Sequence, residues 1–396
     1  MTPRRAVLAL LLLIQAVLGF RVVSRLARTA SGSRIAAAAA LGGAPNGCSV
    51  IVPVLNEAAR LAPCLAGLTA AGPEVREILV VDGGSDDGTQ ELVGEWAARD
   101  ARIRVVDASP VPAEWNGKAW GLQVGLDRSD PANAWILTMD ADVRPAPGLV
   151  PALIAHAEAD DVVALSAATR QTLSGAAEGA VHPAMLATLV YRFGIPGHAA
   201  SRVAETQANG QCFLARREAL TRSGGFAAVR GSVCEDVTLA RRLVAAGGRV
   251  GFYETDGLVS VAMYTGWRDA WVNWTRSLPL RDQYWGVHGP LGLAEVVAAQ
   301  ALPVPMALVL RRVATRYGAG RLPRFGWRLN AVLAMTRFGV LAGMSRAYDC
   351  LPWTYWLSPL ADVPVAAALI VSAARRTHHW RGRVIERREP GASGAR

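Results

Sequence analysis

Short apolar runs rich in β-branched residues alternate with stretches of helical periodicity through the first third of the chain. Cys48–Val54, residues 78–81, residues 103–106 and Trp135–Met139 have the length and composition of buried strands. Between them, residues 56–71, 87–99 and 118–126 repeat apolar positions at helical spacing. The alternation predicts an open α/β sheet with mostly parallel strands. Such sheets bind ligands beyond the carboxyl ends of their strands. The second and fourth runs end in Asp82 and Asp140, so the pattern directs both carboxylates toward one crevice.

The ends of the chain follow a different pattern. Residues 6–20 form an apolar run between basic residues, short of the roughly 20 residues that a spanning helix needs. Extension to Val23 brings the run into range if Arg21 snorkels to the interface. A cleaved signal peptide is the rival reading. Residues 29–47 are rich in Ala, Gly and Ser and read as a tether. After Arg281 the chain is apolar again over residues 291–310, 329–344 and 353–374, interrupted by Glu295, Arg337 and Asp362. The organisation expected is an N-terminal membrane anchor (1–28), the tether (29–47), a catalytic domain (48–285), a membrane or interface region (286–376) and a basic tail (377–396).

Composition sharpens this picture. Hydrophobic residues make up 52% of the chain, high for a soluble protein with this many arginines. The net charge of +10 gathers toward the two ends, beside the apolar runs. That distribution suits an anionic membrane leaflet and argues against a nucleic-acid surface. Five cysteines without a Cys-x-x-Cys pair, and six scattered histidines, suggest neither a disulfide framework nor a zinc site, and point to a reducing compartment.

Several clusters can carry chemistry. Asp82 enters a turn with Gly83, Gly84 and Gly88, where backbone can approach a ligand and the aspartate can accept from a base or ribose. An ordinary strand-to-helix turn uses the same residue types. Asp140 and Asp142, one residue apart after a strand, suit a hard divalent cation and the diphosphate attached to it. Glu235 and Asp236 open a helical stretch after Gly224-Gly225-Phe226. They can supply a general base for an acceptor hydroxyl, or simply stabilise a helix's first turn. Lys118, after Trp115-Asn116-Gly117, can meet a phosphate or a sugar, or be a solvated surface residue. Trp267, Trp271 and Trp274 share a helical face. They read as core or interfacial belt, or else as an acceptor wall with Arg276 near the diphosphate.

Together these residues resemble family 2 of the inverting GT-A glycosyltransferases, over residues 48–285. The resemblance is carried by Val52-Pro53 with Asn56-Glu57, the Asp82 turn, Gly117-Lys118-Ala119, Asp140-Ala141-Asp142, Gly224-Gly225-Phe226 and Glu235-Asp236. It implies a GT-A fold, Rossmann-like, with the membrane helices added at both ends. It also implies a nucleotide-diphosphate sugar donor bound at Pro53, Glu57, Asp82, Lys118 and Asp140, and Mg²⁺ or Mn²⁺ held by Asp142 with Asp140. Asp236, beside Glu235, would be the base of a single inverting displacement. The Trp-Asn-Gly-Lys element, residues 209–214 and residues 379–383 look like the bacterial carotenoid- and hopanoid-associated branch, which implies a lipid-like acceptor. A glycosyltransferase of envelope polysaccharide or glycolipid synthesis, or an inactive membrane scaffold of the same fold, are the alternatives. Two departures matter: Gln123 stands where the family usually has Asn, and Trp274-Thr275-Arg276 replaces the Gln-x-x-Arg-Trp of processive members. The second argues for transfer of a single sugar.

Cytosolic nucleotide sugars place the catalytic domain on the cytoplasmic side of a bacterial-type inner membrane. Arg21, Arg25, Arg28 and Arg34 outnumber Arg4 and Arg5, in agreement with that orientation. Residues 329–344 and 353–374 are expected to form a hairpin that turns outside near Asp349, with Arg337 paired to Asp362. Residues 291–310, broken by Pro303 and Pro305 and followed by several arginines, are expected to be re-entrant or interfacial.

Overall fold

The computed structural model describes residues 3–37, 47–316, 320–375, 377–380 and 383–386. Part of the expected tether (38–46) and the end of the basic tail (387–396) lie outside the described residues.

Helix α1 (Pro3–Thr29) precedes the globular part. Then follow β1 (Cys48–Val54), α2 (Ala62–Thr69), β2 (Val75–Asp82), α3 (Thr89–Ala97), β3 (Ile103–Asp107), α4 (Gly117–Arg128) and β4 (Trp135–Met139). All four predicted strands are present. Helix α2 starts later than the periodicity predicts. Asn56 adopts a positive φ of 56°, its N–H donates to Ser85 Oγ at 2.9 Å, and Ala58 N donates to Asp87 Oδ2 at 3.0 Å. The chain after β1 is thereby tied to the turn after β2, and a proline at the first helical positions opens α2.

The chain continues through β5 (Val143–Pro145), α5 (Leu149–Ala159), β6 (Ala164–Ala168), β7 (Arg170–Gln171), α6 (Ala176–Phe193), β8 (His198–Ala200), β9 (Cys212–Arg216) and α7 (Arg217–Arg222). The globular part closes with α8 (Glu235–Ala245), β10 (Val250–Glu254), β11 (Val259–Val261) and α9 (Trp267–Ser277). The main sheet has the order β3-β2-β1-β4-β9-β6-β10-β8, and β5, β11 and β7 form a small second sheet. Strands β3, β2, β1 and β4 run parallel, and β9 is antiparallel to both its neighbours. Val50 and Val52 of β1 belong to the core on one face, and Ile51 to the core on the other. Burial on both faces is why the strands read as continuous apolar runs.

The C-terminal part contains α10 (His288–Val296), α11 (Pro303–Arg316), α12 (Arg321–Met344) and α13 (Asp362–Ala374). Two helical segments among the described residues are long and apolar enough to cross a membrane, Arg5–Thr29 and Trp353–Ala374. His288–Ala301 and Pro303–Val313, bent by 51°, make a third if they count as one broken span.

The packing corrects the expected hairpin. Asp349 is not remote from the globular domain: its N–H donates to Gln171 O at 3.1 Å, and its Oδ2 accepts from Thr172 Oγ1 at 2.5 Å. The segment Trp353–Ala374 touches the same domain at both ends. Thr354 Oγ1 donates to Ala176 O, and Ser372 Oγ donates to Arg276 O. This segment therefore lies along the domain instead of leading away from it. The pair that does lead away is α11 with α12, which pack on each other, and α12 also packs on α1. Gln15 and Asn330 exchange side-chain hydrogen bonds at 2.8 and 3.1 Å. Gly19 lies under Leu333, and Gly326 under Leu12 and Leu310. Arg321, Arg324 and Arg328 consequently sit toward the N-terminal end of α1. The expected Arg337–Asp362 pair is present, with Nε 2.9 Å from Oδ2.

Candidate active site

A cavity of 1410 Å³ opens at the carboxyl ends of β1, β2 and β4. Pro53, Glu57, Lys118, Asp140, Asp142, Glu235, Asp236, Trp274 and Arg276 line it; Asp82 does not. The Asp82 carboxylate accepts from Ser85 N at 3.1 Å, Ser85 Oγ at 2.5 Å and Gln90 Nε2 at 2.5 Å. It holds the turn, while its neighbours Val81 and Gly83 reach the cavity.

Beyond the end of β1, Arg60 joins two expected site residues. Its Nη2 is 2.7 Å from Glu57 Oε2, and its Nη1 is 3.8 Å from Asp142 Oδ2. No sequence motif marks Arg60. Burial first, then the adjacent Asp140, push the Asp142 carboxyl up to about 7. Arg60 and Lys118 oppose that rise. No group of three or more His, Cys, Asp or Glu side chains able to hold a metal occurs among the described residues. Asp140 and Asp142 can supply two carboxylates, leaving the rest of the shell to phosphate and water, which is the habit of Mg²⁺-like ions. The residues fit such an ion.

Lys118 connects the two halves of the cavity. Its Nζ is 2.7 Å from Asp140 Oδ1 and 3.1 Å from Glu235 Oε1. Burial opposes its charge, but Asp140, Glu235 and Asp236 outweigh that and hold Lys118 above the usual lysine value. Asn116 explains the position. Its Oδ1 accepts from Lys118 N at 3.0 Å and so caps α4. Its Nδ2 donates to Ser232 O at 3.0 Å, which ties the start of α4 to the loop before α8. Gln123, the departure noted above, accepts from Ala227 N at 2.9 Å and clamps the Gly224-Gly225-Phe226 turn onto α4.

Glu235 and Asp236 form the first turn of α8. Asp236 Oδ1 accepts from Val237 N at 2.8 Å, and Oδ2 accepts from Gly210 N at 2.5 Å. Space at Gly210 is tight: a Cβ there would lie 3.0 Å from Lys118 Nζ and 3.1 Å from Asp236 Cβ, so either group would have to give way. Burial, then Glu235, push the Asp236 carboxyl up to about 6, against the opposing pull of Lys118 and the two N–H groups. A half-buried carboxylate near 6 is suited to taking a proton at neutral pH.

Beyond the acidic pair the wall becomes aromatic and then apolar. Trp274 lies on His182, with ring centroids 4.4 Å apart, and Tyr264 is 6.4 Å from Trp274. Burial pushes His182 down to about 3, so the ring is neutral; its Nδ1 meets Tyr348 Oη at 3.0 Å. Of the three tryptophans on α9, only Trp274 lines the cavity. His182, Tyr264 and Tyr348 come from distant segments, and no sequence signal links them. The far end is lined by Leu26 of α1, Leu189 and Val190 of α6, and Gly339, Val340 and Gly343 of α12.

An open α/β sheet with an Asp-x-Asp pair at one strand end, facing an acidic pair on a helix start, defines a GT-A transferase domain. Residues 49–227 match the model for Glycosyl transferase family 2. The chain is 31% identical over 99 residues to Glycosyltransferase AglE of Haloferax volcanii, covering 24% of this chain and 31% of that protein. It is 30% identical over 131 residues to the undecaprenyl-phosphate 4-deoxy-4-formamido-L-arabinose transferase of Aeromonas hydrophila, covering 31% of this chain and 37% of that protein. The matches thus span about a third of the length of these relatives. The mannosyltransferase PcManGT from Pyrobaculum calidifontis, solved with GDP-Man and Mn²⁺, has a TM-score of 0.56 at 22% identity. That likeness covers 94% of this chain and 99% of the other, and it is one of fold.

Proposed function

We propose that the protein transfers a single sugar from a nucleotide-diphosphate sugar to a hydroxyl of a lipid-like acceptor, of isoprenoid, carotenoid or hopanoid type. The observation that carries this reading is the continuity of the cavity. One space joins the strand-end carboxylates, the Asp236 base and an apolar mouth between α1, α6 and α12. The nucleoside lies against Pro53, Glu57 and the Asp82 turn, and Lys118 and Arg60 meet the negative charge of the diphosphate. Asp140 and Asp142 would hold Mg²⁺ or Mn²⁺, which supplies positive charge for the leaving group. Asp236 takes the proton of the acceptor hydroxyl. The oxygen attacks the anomeric carbon opposite the diphosphate, the carbon–oxygen bond to the diphosphate breaks, and its electron pair leaves with the diphosphate. One such displacement inverts the anomeric centre.

Trp274, Arg276 and the neighbouring aromatic rings flank the acceptor, and its apolar part occupies the mouth. The catalytic domain faces the cytoplasm, where nucleotide sugars are found, and α1 with the α11–α12 pair anchors it in the inner membrane. A second reading is an acceptor of polyisoprenyl-phosphate type in envelope glycolipid synthesis, favoured by the name of the Aeromonas relative. Mass spectrometry of lipid extracts from cells with and without the gene tests the proposal. A hexose-bearing lipid that disappears with the gene is expected, and an unchanged lipid profile overturns it.

A further inference from the structure

A second cavity, of 710 Å³, lies where α1 ends, against the end of α6 and the segment before α10. It shares a wall with the first, formed by Gly194, Ile195, Pro196, Gln207 and Phe252. Its charge is strongly one-sided. Six arginines line it: Arg21, Arg25, Arg28, Arg192, Arg202 and Arg241.

The carboxylates do not balance them. Arg21 and Arg25 share Glu295, each at 2.8 Å. Arg241 pairs with Asp282 at 2.9 Å, and Arg202 has Glu205 at 3.4 Å on the surface. Among the described residues six arginines thus face three carboxylates, an excess of three positive charges. Arg192 is only 7% exposed, and its donors go to the carbonyl oxygens of Thr188, Pro279 and Leu278. Among the described residues it stands in no ion pair. Burial and the nearby Arg241 push it down to about 9. A buried cation without a counter-ion is costly, and a bound anion relieves that cost. Guanidinium groups match phosphate oxygens in shape as well as charge.

Location narrows the source of the anion. Arg21, Arg25 and Arg28 occupy the last turns of an apolar helix long enough to cross a membrane. Tyr284 and Trp285 line the same cavity, as aromatic residues do at headgroup level. We infer that this cavity binds a phosphate group, offered by the headgroup of an anionic phospholipid in the adjoining leaflet or by free phosphate. The site is separate from the sugar-transfer centre, and its test is independent of activity.

The test titrates the detergent-solubilised full chain with phosphatidylglycerol or phosphatidylcholine and counts bound lipid by native mass spectrometry. At least a roughly tenfold preference for phosphatidylglycerol is expected, from one or two charged hydrogen bonds. It should fall to the phosphatidylcholine level in the rim variant Arg21→Gln/Arg28→Gln, which spares the buried Arg192. Millimolar inorganic phosphate separates the sources. Failure to displace the lipid assigns the site to the headgroup, and displacement together with a raised melting temperature assigns it to free phosphate. Equal retention of both lipids without stabilisation by phosphate, or retention unchanged in the variant, overturns the inference.

Discussion

Arg337 on α12 and Asp362 at the start of α13 form a two-point ion pair inside an apolar bundle. Nε lies 2.9 Å from Oδ2 and Nη2 lies 3.0 Å from Oδ1. Both residues are 1% exposed, and Gln300 Nε2 adds a third hydrogen bond to Asp362 at 2.8 Å. Such a pair is expensive to break from one side. Arg337→Met leaves a buried carboxylate unpaired and should cost about 3–5 kcal/mol. Thermal unfolding in detergent should drop by several degrees for Arg337→Met and recover largely in Arg337→Met/Asp362→Leu. A single variant as stable as the parent chain would show that the pair contributes nothing.

The packing of α12 against α1 gives a topological expectation. The start of α12 points toward the beginning of α1, whereas Cys350 is exposed beside the globular domain. With the catalytic domain in the cytoplasm, a cysteine introduced as Gly320→Cys should react with an impermeant thiol reagent in intact cells. The native Cys350 should react only after lysis. Labelling of both positions from the same side contradicts the arrangement.

Asp236 should dominate turnover. Asp236→Asn keeps the shape and removes the proton acceptor, so turnover should fall by at least roughly a hundredfold with donor binding retained. The working base is the deprotonated form, and its carboxyl is held at about 6. Turnover should therefore be flat above that value and fall as the pH drops through it. Near-parental turnover in Asp236→Asn removes the residue from this role.

Lys118 lowers the Asp236 carboxyl, while burial and Glu235 raise it. Removing that charge should move the acidic limb of the pH–rate profile toward higher pH. Lys118→Met is expected to show this shift together with weaker donor binding, because the same ammonium lies 2.7 Å from Asp140. A limb that stays in place, or moves to lower pH, would detach Lys118 from the base.

Metal dependence should trace to Asp142. Excess chelator should abolish transfer, Mg²⁺ or Mn²⁺ should restore it, and Asp142→Ala should weaken metal-dependent nucleotide binding measured by calorimetry. Full activity in chelator makes the carboxylate pair structural.

The local order of this chain was written in its sequence. Periodicity alone located β1 and β4 and the chain direction that brings Asp140 to a strand end, because a strand buried on both faces must be apolar throughout. The Asp-x-Asp and Glu235-Asp236 motifs were legible for a similar reason: each functional group is carried by its own short segment. Arg337 and Asp362 were legible as partners because isolated charges in apolar runs require one. Tertiary structure decided the rest. It withdrew Asp82 from the cavity by giving its carboxylate to Ser85 and Gln90. It placed Arg60 between Glu57 and Asp142 and Lys118 between Asp140 and Glu235. It also stacked His182 on Trp274 and paired α11 with α12, where the apolar pattern predicts a pairing of 329–344 with 353–374. Arg60 with Asp142, Lys118 with Glu235 and His182 with Trp274 join segments far apart in the chain, set by how helices and sheet pack in space, and no periodicity or spacing within one segment encodes them.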